Sequence, residues 1–118
     1  MTSTTQIDLF FRYTVKDEKR FQDYLDQAIP LTQDEPYVLE YHLFREADGT
    51  MFQHERYENE EAIGKHTTTT ADAQAAFAEA TEYIDFRAVG NLSDDFKNLI
   101  GGMGLPATWW DRFVSVER

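Results

Sequence analysis

YVLEYHLFREADGTMFQHERYE, residues 37–58, is the stretch whose reading decides the fold. Two alternating runs flank Ala47-Asp48-Gly49. A three-residue loop that closes on glycine signals a hairpin, because its last position favours a positive φ. With that loop, Phe44 faces Phe52, His42 faces His54 and Glu40 faces Arg56. A two-residue loop would instead set Phe44 beside Gln53 and Glu40 beside Tyr57. The first register pairs ring with ring and charge with opposite charge, so it is expected. One face then holds Leu39, Tyr41, Leu43, Met51, Gln53, Glu55 and Tyr57. The other holds Val38, His42, Phe44, Phe52, His54 and Arg56. Neither is a plain solvent face, so the sheet needs two covers. Helices supply one. In 118 residues little chain is left for the second, which makes another copy of the protein the economical cover.

Working outward, residues 6–15 alternate, with Ile7, Leu9, Phe11, Tyr13 and Val15 on one face. The acid-rich segment after them opens a helix carrying Phe21, Tyr24, Leu25 and Ala28 at helical spacing, which Pro30 is expected to end or kink, with a short further turn up to Glu35-Pro36 left open. Asn59 suits an N-cap for the helix that carries His66. Residues 73–84 are strongly helix-forming and are read as one helix. Ser93-Asp94-Asp95 opens another that Gly101-Gly102 stops. Residues 108–116 alternate as a last strand. The order β-α-β-β-α-β, with an extra helical segment before the final strand, predicts one domain over residues 1–118. Its expected form is a four-stranded ferredoxin-like α+β sandwich.

Composition narrows the function. Hydrophobic residues make up 42% and aromatic residues 14%, which supports a real core. With 11 basic and 22 acidic residues the formal charge is −11, a surface that repels phosphate backbones and anionic lipid. Nucleic-acid and membrane partners are therefore not expected. No cysteine is present, which excludes disulfides, thiol nucleophiles and thiolate metal sites. The N-terminus shows no basic segment followed by an apolar run, and no stretch approaches the ~20 apolar residues of a membrane span. A cytoplasmic location is expected.

Glu55-x-Tyr57, Glu61-Ala62 and His66 together resemble the ordered signature "E-x-W, s-x-e-A, three residues, H" of the antibiotic biosynthesis monooxygenase family. The preceding AIPLTQDEPYVLEYHLFREADG is similar to the way that family enters its hairpin. The resemblance covers roughly residues 6–80 and the final strand. The chain departs from it at Tyr57, where tryptophan is usual, and at Tyr37, where glycine is. It also lacks the proline and second histidine after His66, and residues 86–106 form a longer connection. The resemblance implies a homodimeric α/β barrel with sheets packed face to face. It also implies a pocket between each sheet and its own helices. The chemistry implied uses no cofactor, metal or flavin: a small aromatic substrate, phenolic or quinol-like, loses a proton and its anion reduces dioxygen. Haem-degrading relatives place an asparagine, a tryptophan and a ligand histidine where this chain has Phe11, His66 and Ala76, so haem chemistry is not implied.

Within that frame, His66 is the candidate base, since histidine ordinarily exchanges its proton near neutral pH. Glu55 and Tyr57 join it as candidate catalytic residues; a carboxylate on the helix-covered face must be paired or hold its proton. Phe11, Tyr13, Tyr41, Thr69 and Trp110 are candidate substrate-binding residues. His42 and His54, opposed on the other face, could bind a metal with Glu40 as third member. Arg56 competes for Glu40, however, so a packed pair between subunits is the expectation and no metal site is assigned. Two alternatives stay open. One is an isomerase of a small phosphorylated metabolite, using Arg12, Arg56 or Arg112. The other is a non-catalytic dimeric binding or stress protein. A closed hollow beside His66 would favour the enzyme, and a filled core the binding protein.

Overall fold

Alternation in the first strand produces β1 (Ile7–Val15), whose odd-numbered side chains from Ile7 to Tyr13 are buried. Asp17 caps α1 (Glu18–Gln33) by accepting from the Arg20 amide. The helix does not end at Pro30 but runs on to Gln33, the short further turn that the sequence left open. Proline removes one amide bond only three residues from the helix end. Meanwhile Tyr24, Ala28 and Thr32 keep the same face buried. This computed structural model describes residues 5–118; residues 1–4, part of the stretch read for a leader sequence, lie outside the described residues.

The hairpin of β2 (Val38–Arg45) and β3 (Met51–Tyr57) has the expected register: Phe44 pairs with Phe52, His42 with His54 and Glu40 with Arg56. The Glu46 amide bonds the Thr50 carbonyl at 2.9 Å, and Gly49 takes φ 95°. A bulge between Val38 and Glu40 corrects the face assignment at the strand start. Val38 packs against the core there, and Leu39 is exposed.

Asn59 caps α2 (Glu60–Thr69) through the Ala62 amide, as expected. The helix expected over 73–84 is instead α3 (Ala71–Ala80), and residues beyond it form β4 (Thr81–Val89). The Thr81 hydroxyl bonds the Phe77 carbonyl at 2.7 Å and ends the helix without glycine or proline. After α4 (Asp94–Gly102), capped by Ser93, a short β5 (Ala107–Trp110) runs parallel to β4. The strand expected over 108–116 therefore stops at Trp110.

The result is an α+β, ferredoxin-like fold with a five-stranded sheet in the order β2-β3-β1-β4-β5, where four strands were expected. The sheet is open: β2 and β5 are free edges, so this chain alone does not close a barrel. The core lies between the sheet and the helices. Phe77 of α3 stands edge-on to Tyr13 at 4.8 Å and to Tyr24 at 4.9 Å. Edge-to-face stacking of this kind adds to what area burial contributes.

Candidate active site

Register and helix docking together gather a hydrogen-bonded set of polar side chains under the helices. β3 supplies Gln53, Glu55 and Tyr57 from alternate positions on one face. β1 supplies Tyr13, β2 supplies Tyr41, α1 supplies Tyr24, and α2 supplies His66. Tyr13 donates to Gln53 Oε1 at 2.7 Å. The Gln53 amide nitrogen donates to Glu55 Oε2 at 2.7 Å and to the Tyr24 hydroxyl at 3.1 Å. Tyr57 donates to Glu55 Oε1, and the Tyr24 and Tyr41 hydroxyls share a short bond. Glu55 is thus held through both oxygens, yet among the described residues no Lys or Arg pairs with it. Burial pushes its carboxyl up, opposed in part by nearby His66 and by the bonds from Tyr57 and Gln53. Burial, and then the Glu55 charge, push the Tyr57 and Tyr41 hydroxyls well above the usual phenol range, so they stay protonated.

His66 is 2% exposed, with its ring 5.5 Å from that of Tyr57 and 5.7 Å from that of Tyr41. Its Nδ1 lies 2.9 Å from Glu35 Oε1, and Tyr37 donates to the other Glu35 oxygen. A carboxylate only accepts, so Nδ1 donates, and in the neutral imidazole Nε2 is the nitrogen that carries the lone pair. That Nε2 is buried and has no hydrogen-bond partner; among the described residues the only other such side-chain atom is Thr32 Oγ1. Thr32 adjoins the same carboxylate residue, its carbonyl receiving the Glu35 amide at 3.0 Å.

The structure brings together His66, Glu55, Tyr57 and Tyr41, and links Tyr13 to them through Gln53. Phe11 sits deeper, stacked on Phe86 at 5.2 Å. Thr69 is exposed on α2, beside a groove of about 390 Å³ that Gln27, Leu31 and Thr70 also line. Trp110 pairs with Val89, which places it on the opposite face of the sheet, half exposed. Two concavities, of about 680 and 640 Å³, flank the hairpin loop and the Asn91–Ser93 turn, and neither is lined by His66, Glu55 or Tyr57. The residues expected to line a hollow bond one another instead. Sequence reasoning passed over Gln53 and Glu35 as site members. Gln53 was visible on the helix-facing column of the hairpin register. Glu35 carried no local signal, since its partner is 31 positions away.

The opposite face carries a second polar cluster. Asp8 is 1% exposed and is met by His54 at 2.6 Å, Arg56 at 2.9 Å and Arg112 at 2.6 Å. Burial alone would raise its carboxyl; the His54 bond and the two guanidiniums outweigh that and hold it below the ordinary aspartate value. Arg12 is likewise committed, to Asp85 at 2.8 Å.

The family model described as antibiotic biosynthesis monooxygenase matches residues 9–80. No curated protein sequence matches the chain. Among solved structures, MupZ from Pseudomonas fluorescens is similar at 14% identity and TM-score 0.79, over 97% of this chain and 95% of that one. SnoaB, a cofactor-independent oxygenase from Streptomyces nogalater, is similar at 12% identity and TM-score 0.62, over 75% and 95%. Rv0793 from Mycobacterium tuberculosis gives 19% identity and TM-score 0.61, over 76% and 98%. At these identities the likeness is one of fold.

Proposed function

The chain belongs to the antibiotic biosynthesis monooxygenase family, and from that premise we propose that it is a cofactor-independent monooxygenase oxidising a phenolic or quinol-type small molecule with dioxygen. One observation carries the reading: a buried imidazole whose Nδ1 is tied to Glu35 and whose Nε2 lone pair has no partner. A buried polar atom without a partner is costly and calls for a functional account. A phenol hydroxyl donating to Nε2 supplies one. His66 takes the proton, and Glu35 stabilises the imidazolium, with Glu55 close enough to add its field. The anion passes one electron to dioxygen. Superoxide then couples with the aryloxyl radical at a ring carbon that bears hydrogen, the His66 imidazolium returns its proton to the peroxide, and loss of water leaves a quinone, so one oxygen atom enters the product and the other leaves as water. Tyr41 and Tyr57 wall the ring, Tyr13 holds Gln53 in place, and Phe11 closes the apolar floor. Thr69 marks the mouth. In the same reading the 118 residues act as one domain, and a second copy covers the open sheet face, where Phe44, Phe52 and Trp110 are exposed. Trp110 then serves that contact in place of the substrate contact expected of it.

A second reading, a non-catalytic dimeric binding protein, is favoured by the mutual bonding of the site residues. The phosphorylated-metabolite isomerase draws no support at this site: Arg12, Arg56 and Arg112 are engaged with Asp85 and Asp8 on the other face. Among the described residues no helix is long and apolar enough to cross a membrane.

Oxygen uptake with a panel of hydroquinones and anthrones, in the presence of chelator, separates the two readings. The enzyme reading expects turnover that survives chelation and falls by about 100-fold or more in His66→Gln, the usual contribution of a positioned base. Absence of uptake across the panel, or uptake indifferent to His66→Gln, supports the binding protein.

A further inference from the structure

The open face of the sheet, which the oxygenase reading assigns to contact with a second copy, holds at its β2 edge a constellation that the chemistry at His66 does not use. Glu40, His42 and His54 each offer one ligand atom, and these atoms all lie within 4.8 Å of one another. Two adjoining strands place them: His42 and His54 are directly paired across β2 and β3, and Glu40 precedes His42 by two positions on the same face. The imidazoles are held flat. His54 stacks on Phe10 at 4.4 Å and 4°, and His42 lies between His54 and Phe44 at 5.8 Å from each.

Outer partners fix the ligands as they do in built metal sites. His54 Nε2 lies 2.6 Å from Asp8 Oδ1, and Asp8 is a carboxylate gripped by two arginines. Nε2 therefore donates to Asp8, and in the neutral imidazole Nδ1 is the nitrogen that offers a lone pair. Carboxylate–histidine pairs of this kind orient metal-binding imidazoles and raise their basicity. Glu40 is oriented in the same way: Arg56 holds Oε2 at 3.3 Å, and Oε1 faces His42 Nε2 at 3.1 Å. We infer that Glu40, His42 and His54 form a binding site for a divalent transition-metal ion, with Asp8 and Arg56 positioning two of the three ligands.

Charge and donor type select the ion. Asp8 and Glu40 are offset by Arg56 and Arg112, so the site attracts cations weakly by field alone. Affinity must come from imidazole coordination, which favours Cu²⁺, Ni²⁺ and Zn²⁺ over Mg²⁺ and Ca²⁺. Ligand bonds of about 2.0–2.2 Å require the donors to draw in slightly from their present spacing. Glu40 and His42, with side chains 39% and 45% exposed on the edge strand, have room to do so. Three protein ligands leave at least one position for water or a small anion.

Calorimetric titration of the untagged full chain with ZnCl₂, NiCl₂ and CuCl₂, and with MgCl₂ and CaCl₂ as controls, tests the inference. One transition-metal ion per chain is expected, with no heat from magnesium or calcium. Affinity should fall at least tenfold in His42→Ala, an exposed position whose loss leaves the fold intact by circular dichroism. Asp8→Asn should cost about 10–100-fold without touching the metal. If Asp8→Asn fails to fold, the Cu²⁺ electron paramagnetic resonance spectrum decides instead. Hyperfine coupling to two imidazole nitrogens in the wild type and one in His42→Ala is the expected result. Unchanged affinity in His42→Ala, absence of transition-metal binding, or a Cu²⁺ spectrum without two nitrogens would overturn the proposal.

Discussion

Replacing Tyr57 with phenylalanine removes one oxygen from a side chain that is 1% exposed and leaves its ring in place. The lost hydroxyl donates to Glu55 Oε1, so the carboxylate keeps only the Gln53 bond. A hydrogen bond to a charged group contributes about 1.5–3 kcal/mol, and one to a neutral group about 1 kcal/mol. The melting entropy of a chain of 118 residues is about 0.25 kcal/mol/K, so the charged case corresponds to a drop of roughly 6–12 °C. The penalty carries a pH signature. Burial raises the Glu55 carboxyl above 4.5, so at pH 4.5 the folded protein holds it mostly protonated. There the bond is neutral and Tyr57→Phe should cost only about 4 °C. Thermal melts followed by circular dichroism at pH 4.5 and pH 8 supply both numbers. A variant that melts within about 2 °C of wild type at pH 8 would show that Glu55 does not depend on Tyr57. The described network would then be wrong.

Other outcomes follow from the same geometry. A raised folded value means that Glu55 costs nothing while both states are protonated. It destabilises the fold as pH rises through the unfolded value toward the folded one; Glu55→Gln should flatten that part of the stability–pH curve, measured by urea midpoints. Asp8 works with the opposite sign: its stabilisation is present above pH 3.8 and is lost as pH falls through its depressed folded value. Asp8→Asn takes from Arg56 and Arg112 the carboxylate they share, leaving them Glu40 and the Gln6 carbonyl, and should cost near the lower end of ~3–5 kcal/mol at pH 7 by denaturant titration. Phe77→Ala empties the centre of the ring cluster formed with Tyr13, Tyr24 and Phe11 and should cost about 3–5 kcal/mol by the same measurement. Phe52→Glu on the open face should convert a dimer to monomers in sedimentation velocity; an unchanged sedimentation coefficient would place the subunit contact elsewhere.

The hairpin was legible because one register satisfied an aromatic pair and an ion pair at once, and every pairing from Glu40 to Phe44 follows it. β4 was not. Alanine-rich α3 passes into it with no glycine or proline at the junction. The register shift opposite Arg12 and Tyr13 leaves Ile84 unpaired and breaks the alternation of Tyr83, Phe86 and Ala88. At the site, strand periodicity placed Glu55 and Tyr57 together and helix spacing brought His66 toward them. Glu35 and Asp8 escaped notice because their roles depend on partners far along the chain: His66 in one case, and His54, Arg56 and Arg112 in the other. Such pairs leave no local pattern. The face that Trp110 takes was out of reach for a related reason, since it depends on parallel pairing with β4, a strand that had not been recognised.

The central claim is that His66 Nε2 takes a proton from a bound phenol. Ultraviolet difference spectra of a non-oxidisable phenol bound anaerobically at pH 7 read that transfer directly. The account predicts the red-shifted phenolate band on binding to wild type and its loss in His66→Gln. A phenol that binds with its hydroxyl still protonated, or that ionises equally well in His66→Gln, would contradict it.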